Sequence, residues 1–559
     1  MGEWWRGCVI YQIYPRSFQD SNGDGIGDLP GILTRLEHVA NLGVDAVWLS
    51  PFFTSPMADM GYDVSNYKDV DPLFGTLDDF DKIITYAHKL GLKVIIDQVL
   101  SHTSDQHPWF SQSKNSTAND KADWYVWADP NPDGTPPNNW LSIFGGPAWE
   151  WNTSRRQYYL HNFLGTQPDL NFHNRDVQDA ILDVLKFWLD RGVDGFRFDT
   201  VNFYFHDQQL RSNQSLSRKS NRPEINPYEM QVQVFSKNQP ENLAFLKRVR
   251  ALLNKYDAIT SVGEVGDSLR AIEIMADYTK DNDKLHMAYS FDLLGPDFSA
   301  KHFRSKVEEF EQGAPDGWPC WSFSNHDVTR HITRWAKHAT SEQALARQTF
   351  ALLSTLKGTI CIYQGEELGL PEAEIEFEEL TDPPGIRFWP EYKGRDGCRT
   401  PMPWTAGVSP NGFTDGTPWL PLKGPHSALN VQTQSRDAAS TLNFYQKMLS
   451  YRKSRTALIT GDIQFIDTPE PILAFTRTSN DTAQLCIFNL SPHKVKVMVD
   501  HIKALQLSPL SQAASSTCAH SGCEKLHLEG NGFALFDIPN HIKKLPNVEF
   551  KPKTQLQPA

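Results

Sequence analysis

DVQDAILDVLKFWLDRGVDGFRFD, residues 176–199, is the stretch on which the fold turns. Its first part, 176–191, repeats apolar side chains at helical period, and GFRFD (195–199) is a brief apolar run that closes on Arg197 and Asp199. A helix feeding a buried strand is part of a βα repeat, and the same alternation extends to either side. Short apolar segments, most of them rich in β-branched or aromatic residues, stand at 9–14, 45–50, 93–99, 259–264, 287–292, 320–325 and 359–364. They have the composition of parallel strands covered on both faces. Stretches such as 29–42 and 242–255 carry the helical period between them. With 195–199 the strands number eight, so the economical expectation is an α/β chain closed into a (β/α)8 TIM barrel.

The spacing from the third strand to the fourth is far too wide for one helix, which predicts an inserted subdomain over 103–174. Its many large rings, Trp109, Trp124, Trp127, Trp140, Trp149 and Trp151 among them, are expected to make a small core of their own, with Phe144 and Phe163 reserved for a binding surface. The polar connection 203–241 reads either as a mobile lid or as a plain surface insertion. After an amphipathic helix at 437–452, short alternating segments at 472–477, 484–489 and 533–537 predict a C-terminal antiparallel β domain. The expected domains are therefore a barrel of residues 1–102 and 175–458, the insertion 103–174, and the β domain 459–559.

The chain is 559 residues long, with 40% hydrophobic and 22% charged residues, which is an ordinary globular composition. A net charge of −13 repels phosphate backbones and anionic lipid, so no nucleic-acid or membrane partner is expected. The start, MGEWWRGCVIYQ, lacks the pattern of an export signal, and no apolar run is long enough to span a bilayer. Seven scattered cysteines fit free thiols in a reducing compartment, and a cytoplasmic location is the expectation. Cys518 and Cys523 could pair only if the protein were exported. The 16 Trp, 17 Tyr and 32 Phe exceed what a core of this size needs, and such rings are surfaces on which sugar C–H faces pack.

Barrel enzymes carry their chemistry at the C-terminal ends of the strands. Here the third strand closes with Asp97 and leads to His102, the fourth closes with Arg197 and Asp199, the fifth with Glu264, and the seventh leads to His326 and Asp327. One such residue reads as a cap or a satisfied polar group; the set reads as a site. A zinc pair at the two histidines is disfavoured, because no HExxH or thiolate set accompanies them.

In this order, DQVLSH (97–102), QPDLN (167–171), GFRFD (195–199), VGE (262–264) and SNHD (324–327) resemble the signature regions of the alpha-amylase superfamily. MADMGYD (57–63), RTPMPW (399–404) and DSNGDGIGD (20–28) make the chain most similar to the alpha-glucosidase and oligo-1,6-glucosidase branch over about residues 4–460. The resemblance implies a retaining glycoside hydrolase with Asp199 as nucleophile, Glu264 as general acid/base and Asp327 as a third carboxylate that holds ring hydroxyls. Arg197, two residues before Asp199 on the same strand face, is expected to keep the nucleophile ionised, and crowding by carboxylates to keep Glu264 protonated. The resemblance also places His102 and His326 on the bound sugar, Asp59 and Arg399 at a closed pocket end, and Tyr62 beneath the sugar ring.

The loop Asp20, Asn22, Asp24, Ile26, Asp28 alternates oxygen donors with glycines, which suits a structural Ca2+ or Mg2+; an ordinary Gly/Asp/Asn turn is the other reading, and no organic cofactor is expected. In the resembling enzymes a Val after the nucleophile accompanies α-1,6 cleavage, so Thr200 there mildly favours α-1,4, and the RLDRD-type segment of sucrose isomerases is absent between Asp327 and Arg399. The expected activity is exo-hydrolysis of α-1,4-linked glucose from maltose-sized α-glucosides, with transglucosylation, by a monomer or homodimer. An oligo-1,6-glucosidase, a dedicated transglucosylase and a non-catalytic amylase-like scaffold are the competing readings. The complete carboxylate set speaks against the last of these.

Overall fold

The structure, a computed structural model, describes residues 3–217, 225–407, 410–517, 524–539, 542 and 546–550. All eight expected strands are present: β1 (Val9–Ile13), β2 (Ala46–Leu49), β3 (Lys93–Gln98), β4 (Gly195–Phe198), β5 (Thr260–Val265), β6 (Met287–Ser290), β7 (Cys320–Trp321) and β8 (Thr359–Tyr363). They pair in parallel in the order β6-β5-β4-β3-β2-β1-β8-β7. A parallel bridge between Ala288 and Pro319 joins the two edges and nearly closes the barrel. Strand residues such as Ile10, Val47, Ile96, Phe196 and Ile362 are almost wholly buried, which is why these segments lack a polar face.

The helices form from local signals. α1 (Leu29–Leu42) starts at Asp28, whose carboxylate accepts the Gly31 N–H, and stops at Gly43, which takes φ +96°. Its buried face of Ile32, Leu36, Val39 and Leu42 follows the helical period onto the barrel. The helix expected over 437–452 runs Thr441–Lys453, because Ser440 caps its start by accepting from Asn443 N–H, and a separate short helix, Val431–Arg436, precedes it.

In the insertion, Trp127–Ala128, Trp149–Asn152 and Gln157–Leu160 form a three-stranded antiparallel sheet. Trp140 and Trp149 stack inside its small core, while Trp151 is 40% exposed. The described part of the connection after β4 is fastened to this insertion. Trp140 Nε1 donates to the Arg211 carbonyl, and the side chains of Asn138 and Asn139 donate to the carbonyls of Leu210 and Asn213. Beyond the barrel, a five-stranded and a four-stranded antiparallel sheet pack over a shared core that includes Ile472, Leu485, Val497, Leu526 and Phe536. Cys8, Cys320, Cys361, Cys398 and Cys486 are buried free thiols; Cys518 and Cys523 lie outside the described residues. Among the described residues no helix is long and apolar enough to cross a membrane.

Candidate active site

Strand register brings the polar strand ends together. Arg197 on β4 stands level with Asp97 on β3 and Val262 on β5, and Glu264 is two residues further along β5. Arg197, 1% exposed, donates from Nη1 to Asp97 Oδ1 and Asp199 Oδ1, both at 2.7 Å. From Nη2 it donates to Glu264 Oε2 and to Tyr289 Oη. Three carboxylates therefore share one buried cation, which makes burial of the group tolerable but leaves an excess of negative charge.

That excess sets the proton distribution. Burial opposes the Arg197 cation, yet Asp97, Glu264, Tyr289 and Asp199 raise it well above its ordinary value, so it stays charged. Burial, with Asp199 adding to it against the pull of Arg197, lifts Asp97 to about 7. Burial also pushes Glu264 well above the ordinary carboxyl range; Arg197 opposes this, and the charges of Asp199 and Asp327 reinforce it. Both close contacts of Glu264, from Arg197 and from the Thr200 N–H at 3.2 Å, fall on Oε2, so Oε1 is the oxygen placed to carry a proton. Asp327 goes the other way: burial would raise it, but His326, Arg395 and Arg399 hold it below the usual value, and the two guanidinium charges are the permanent ones.

Thr200 adopts φ +39°, a strained conformation for a β-branched residue. That turn sends its N–H to Glu264 and its Oγ1 to Asp199 Oδ2 at 3.2 Å, so one residue touches both catalytic candidates. Tyr62 stacks on the His326 ring at 5.3 Å and bonds His326 Nε2 through its hydroxyl. The remaining His326 nitrogen meets Gln12 Nε2 at 2.7 Å. His102 is bonded to the Tyr62 carbonyl (2.9 Å) and Ser101 Oγ (2.8 Å). Burial lowers both imidazoles below their ordinary value, so both are neutral at pH 7. Phe163 lies 5.1 Å from His102 and 5.6 Å from Phe144, which brings the two reserved rings of the insertion to the site.

Asp59 and Arg399, the two residues expected at a closed pocket end, are linked through Asp327 and a second arginine. That arginine is Arg395, whose Nη2 donates to Asp59 Oδ1 at 2.8 Å and Nη1 to Asp327 Oδ1 at 3.2 Å. Arg395 sits 5.1 Å from the Phe144 ring centroid and is anchored behind by Asp382, which is fully buried. Arg399 stands one layer back, donating from Nε to the His326 carbonyl and from Nη2 to Asp327 Oδ1 at 3.1 Å. Gln167 completes the wall by donating to Asp59 Oδ2 and the Tyr62 carbonyl. Arg395, Asp382 and Gln167 are the residues that sequence reasoning missed. GRDGCRTPMPW (394–404) holds two arginines four apart, and the family resemblance points to the second alone.

Comparison with known proteins shows the family. The alpha-amylase catalytic-domain model matches residues 12–461. A protein of Rhizobium meliloti (strain 1021) named probable alpha-glucosidase is 54% identical over 97% of this chain and 96% of its own length. An oligo-1,6-glucosidase of Heyndrickxia coagulans is 37% identical over 89% of this chain and 93% of its own. Among solved structures, an alpha-glucosyl transfer enzyme superposes with TM-score 0.92 at 52% identity, covering 96% of this chain and all of the other. A trehalulose synthase from Pseudomonas mesoacidophila superposes with TM-score 0.83 at 29% identity, over 96% of this chain and 99% of the other. The chain thus belongs to the alpha-amylase catalytic-domain family, as a glycoside hydrolase of its alpha-glucosidase group.

Proposed function

We propose that the enzyme is a retaining, exo-acting alpha-glucosidase that releases terminal α-1,4-linked glucose from maltose and other short α-glucosides and also passes glucose to acceptor alcohols. The observation that carries this reading is the shared guanidinium. Two carboxylates bound to neighbouring nitrogens of Arg197 stand close together, in keeping with the ~5 Å separation of retaining enzymes rather than the 6.5–9.5 Å that admits a water in inverting ones. In this mechanism Asp199 attacks the anomeric carbon while Glu264 gives its proton to the departing oxygen. Glu264 then takes a proton from water or an alcohol, which attacks the same carbon and frees Asp199. The Asp59–Arg395–Asp327 bridge backed by Phe144 supports a pocket closed behind a single terminal sugar.

Initial rates should be highest on maltose, lower on isomaltose and sucrose, and negligible on starch, with α-glucose the first anomer seen by NMR. Dominant starch cleavage would remove the closed pocket, isomaltose preference would favour the oligo-1,6-glucosidase reading, and β-glucose as first product would remove retention. The relative named for alpha-glucosyl transfer supports the acceptor branch, so transfer products should rise with added alcohol.

We further propose that the loop 20–28 holds one Ca2+ or Mg2+ in a structural role. Asp20, Asn22 and Asp24 each accept, through Oδ1, the N–H two residues on; the Oδ1 of Asn22 and of Asp24 keeps a lone pair for an ion, while Asp20 Oδ1 also accepts the Gly23 N–H. Burial would raise the Asp20 carboxyl, but Thr414 and the Gly23, Gly25 and Asn22 amides hold it below its ordinary value, hence ionised. Asp28 is engaged by Gly31 and Ser21 as the cap of α1, and Asp20 by Asn22, Gly23, Gly25 and Thr414, so Asn22 and Asp24 are the freer donors. Among the described residues no three His, Cys, Asp or Glu side chains converge as a ready-made metal site, so the loop would gather its donors around the ion from Asp20, Asn22, Asp24 and the Ile26 carbonyl. The loop joins the 413–419 segment through Thr414 and Trp419, which is where an ion would add stability. Chelation is expected to lower Tm by a few degrees, the scale of an ion held at about 100 times its Kd, without changing turnover of the folded fraction. An unchanged Tm with no metal by elemental analysis would remove the ion.

A further inference from the structure

The chain just beyond each catalytic strand end is tied into one knot. Asn202 lies three residues past Asp199, and Gly266 two past Glu264. The Asn202 side chain accepts the Gly266 N–H and donates to the Gly266 carbonyl, both at 3.0 Å. The same carbonyl receives a second bond, from Lys237 Nζ at 2.7 Å. Lys237 comes from the far end of the long connection after β4, and its neighbour Asn238 joins the knot. The Asn238 N–H donates to the Asn202 carbonyl at 2.8 Å and its side chain donates to Asp267 Oδ2 at 2.7 Å.

Lys237 is an unusual residue to find there, because lysine is almost never buried unless its ammonium has a use. It is 3% exposed, its Nζ 4.8 Å from the Phe203 ring centroid and 5.6 Å from that of Tyr228. It donates to Tyr228 Oη at 3.1 Å, and Asp267 Oδ2 stands 3.8 Å away. Burial pulls the amine down to about 8, with Asp267 and Glu229 opposing. Asn202 alone would satisfy the Gly266 carbonyl, so hydrogen-bond satisfaction does not account for a buried cation. Position does: Gly266 has no side chain of its own to fix the backbone beyond Glu264.

We propose that Lys237 and Asn202 are a positioning pair, which clamps the chain beyond Glu264 to the turn beyond Asp199 and so aims the Glu264 proton at the leaving oxygen. Neither residue touches substrate; both act through the placement of Glu264. The consequence depends on the leaving group. A sugar alcohol must be protonated as it departs, whereas a nitrophenolate leaves without a proton, so a misaimed acid slows only the first. A displacement of the order of 1 Å at the reacting groups is worth up to about a hundredfold.

The test is kcat/KM, which reports formation of the glucosyl-enzyme, on maltose and on a nitrophenyl α-glucoside for Lys237→Met, Lys237→Arg and Asn202→Ala. Lys237→Met should lose about tenfold to a hundredfold on maltose, chiefly in kcat, and less than about threefold on the aryl glucoside. Lys237→Arg, which keeps charge and donors, should recover most of the maltose loss. If Lys237→Met does not fold, Asn202→Ala must show the same split. Equal losses on the two substrates, or no loss on either, would overturn the proposal. The inference rests on Glu264 being the acid, and Glu264→Gln on the same substrate pair tests that reading separately, since it must split the substrates whatever the clamp does.

Discussion

Asp199→Ala is expected to lose about 10^4-fold or more in kcat/KM, on maltose and on an aryl α-glucoside alike. A better leaving group does not help when the attacking atom is gone, so equal loss on both substrates is the signature of the nucleophile. No neighbour can take its place. Asp97 is fully buried and engaged by Arg197, Trp48 Nε1 at 3.1 Å and the Tyr62 hydroxyl at 3.2 Å. Asp327 is held by Arg395 and Arg399. A small anion such as azide, entering the space the carboxylate leaves, should restore part of the rate and give a β-glucosyl product. The same substitution relieves Arg197 of one of three competing carboxylates, so the variant should melt no lower than the wild type. A loss smaller than a hundredfold would take the nucleophile's role from Asp199.

Strand ends of this kind are legible in a sequence because a buried parallel strand admits few polar residues, and those it admits stand where the barrel opens. The eight apolar segments and the residues that close them therefore appear in the structure close to where composition puts them, and α1 runs over 29–42 because Asp28 and Gly43 mark its ends in the chain itself. Pairings between loops carry no such mark. Arg395 and Arg399 lie in one short segment and both bond Asp327; which of them reaches Asp59 depends on the fold of 382–399 around Asp382, a partner that sequence spacing does not reveal. The connection 203–241 is likewise polar by composition. Its attachment to the insertion rests on Asn138, Asn139 and Trp140, which stand far from it in the chain, and Lys237 has no motif around it. Long-range contacts made by single side chains are the part that periodicity and composition do not encode.

Glu264→Gln should lose about 10^3-fold on maltose while keeping most of its rate of glucosyl-enzyme formation on a nitrophenyl α-glucoside, because general acid catalysis is worth about 10^2–10^4-fold only where the leaving oxygen needs a proton. The pH profile supplies the sign. Burial, reinforced by Asp199 and Asp327, raises the Glu264 carboxyl well above its ordinary value, so the wild type is active while Glu264 holds its proton and loses rate as pH rises through that raised value. Glutamine does not titrate, so this alkaline loss, shown by the wild type on maltose, should vanish from the variant's residual activity on maltose. Stability moves by the same linkage. In the window between the unfolded and folded values of Glu264 the native state binds a proton that the unfolded chain has released, so this carboxyl makes the fold less stable as pH rises. Glu264→Gln should therefore melt higher than the wild type at pH 7 and show a smaller advantage near pH 4.5. An alkaline limb that survives in the variant, together with a melting difference that does not change with pH, would take the acid's role from Glu264 and leave the shared guanidinium without its mechanism.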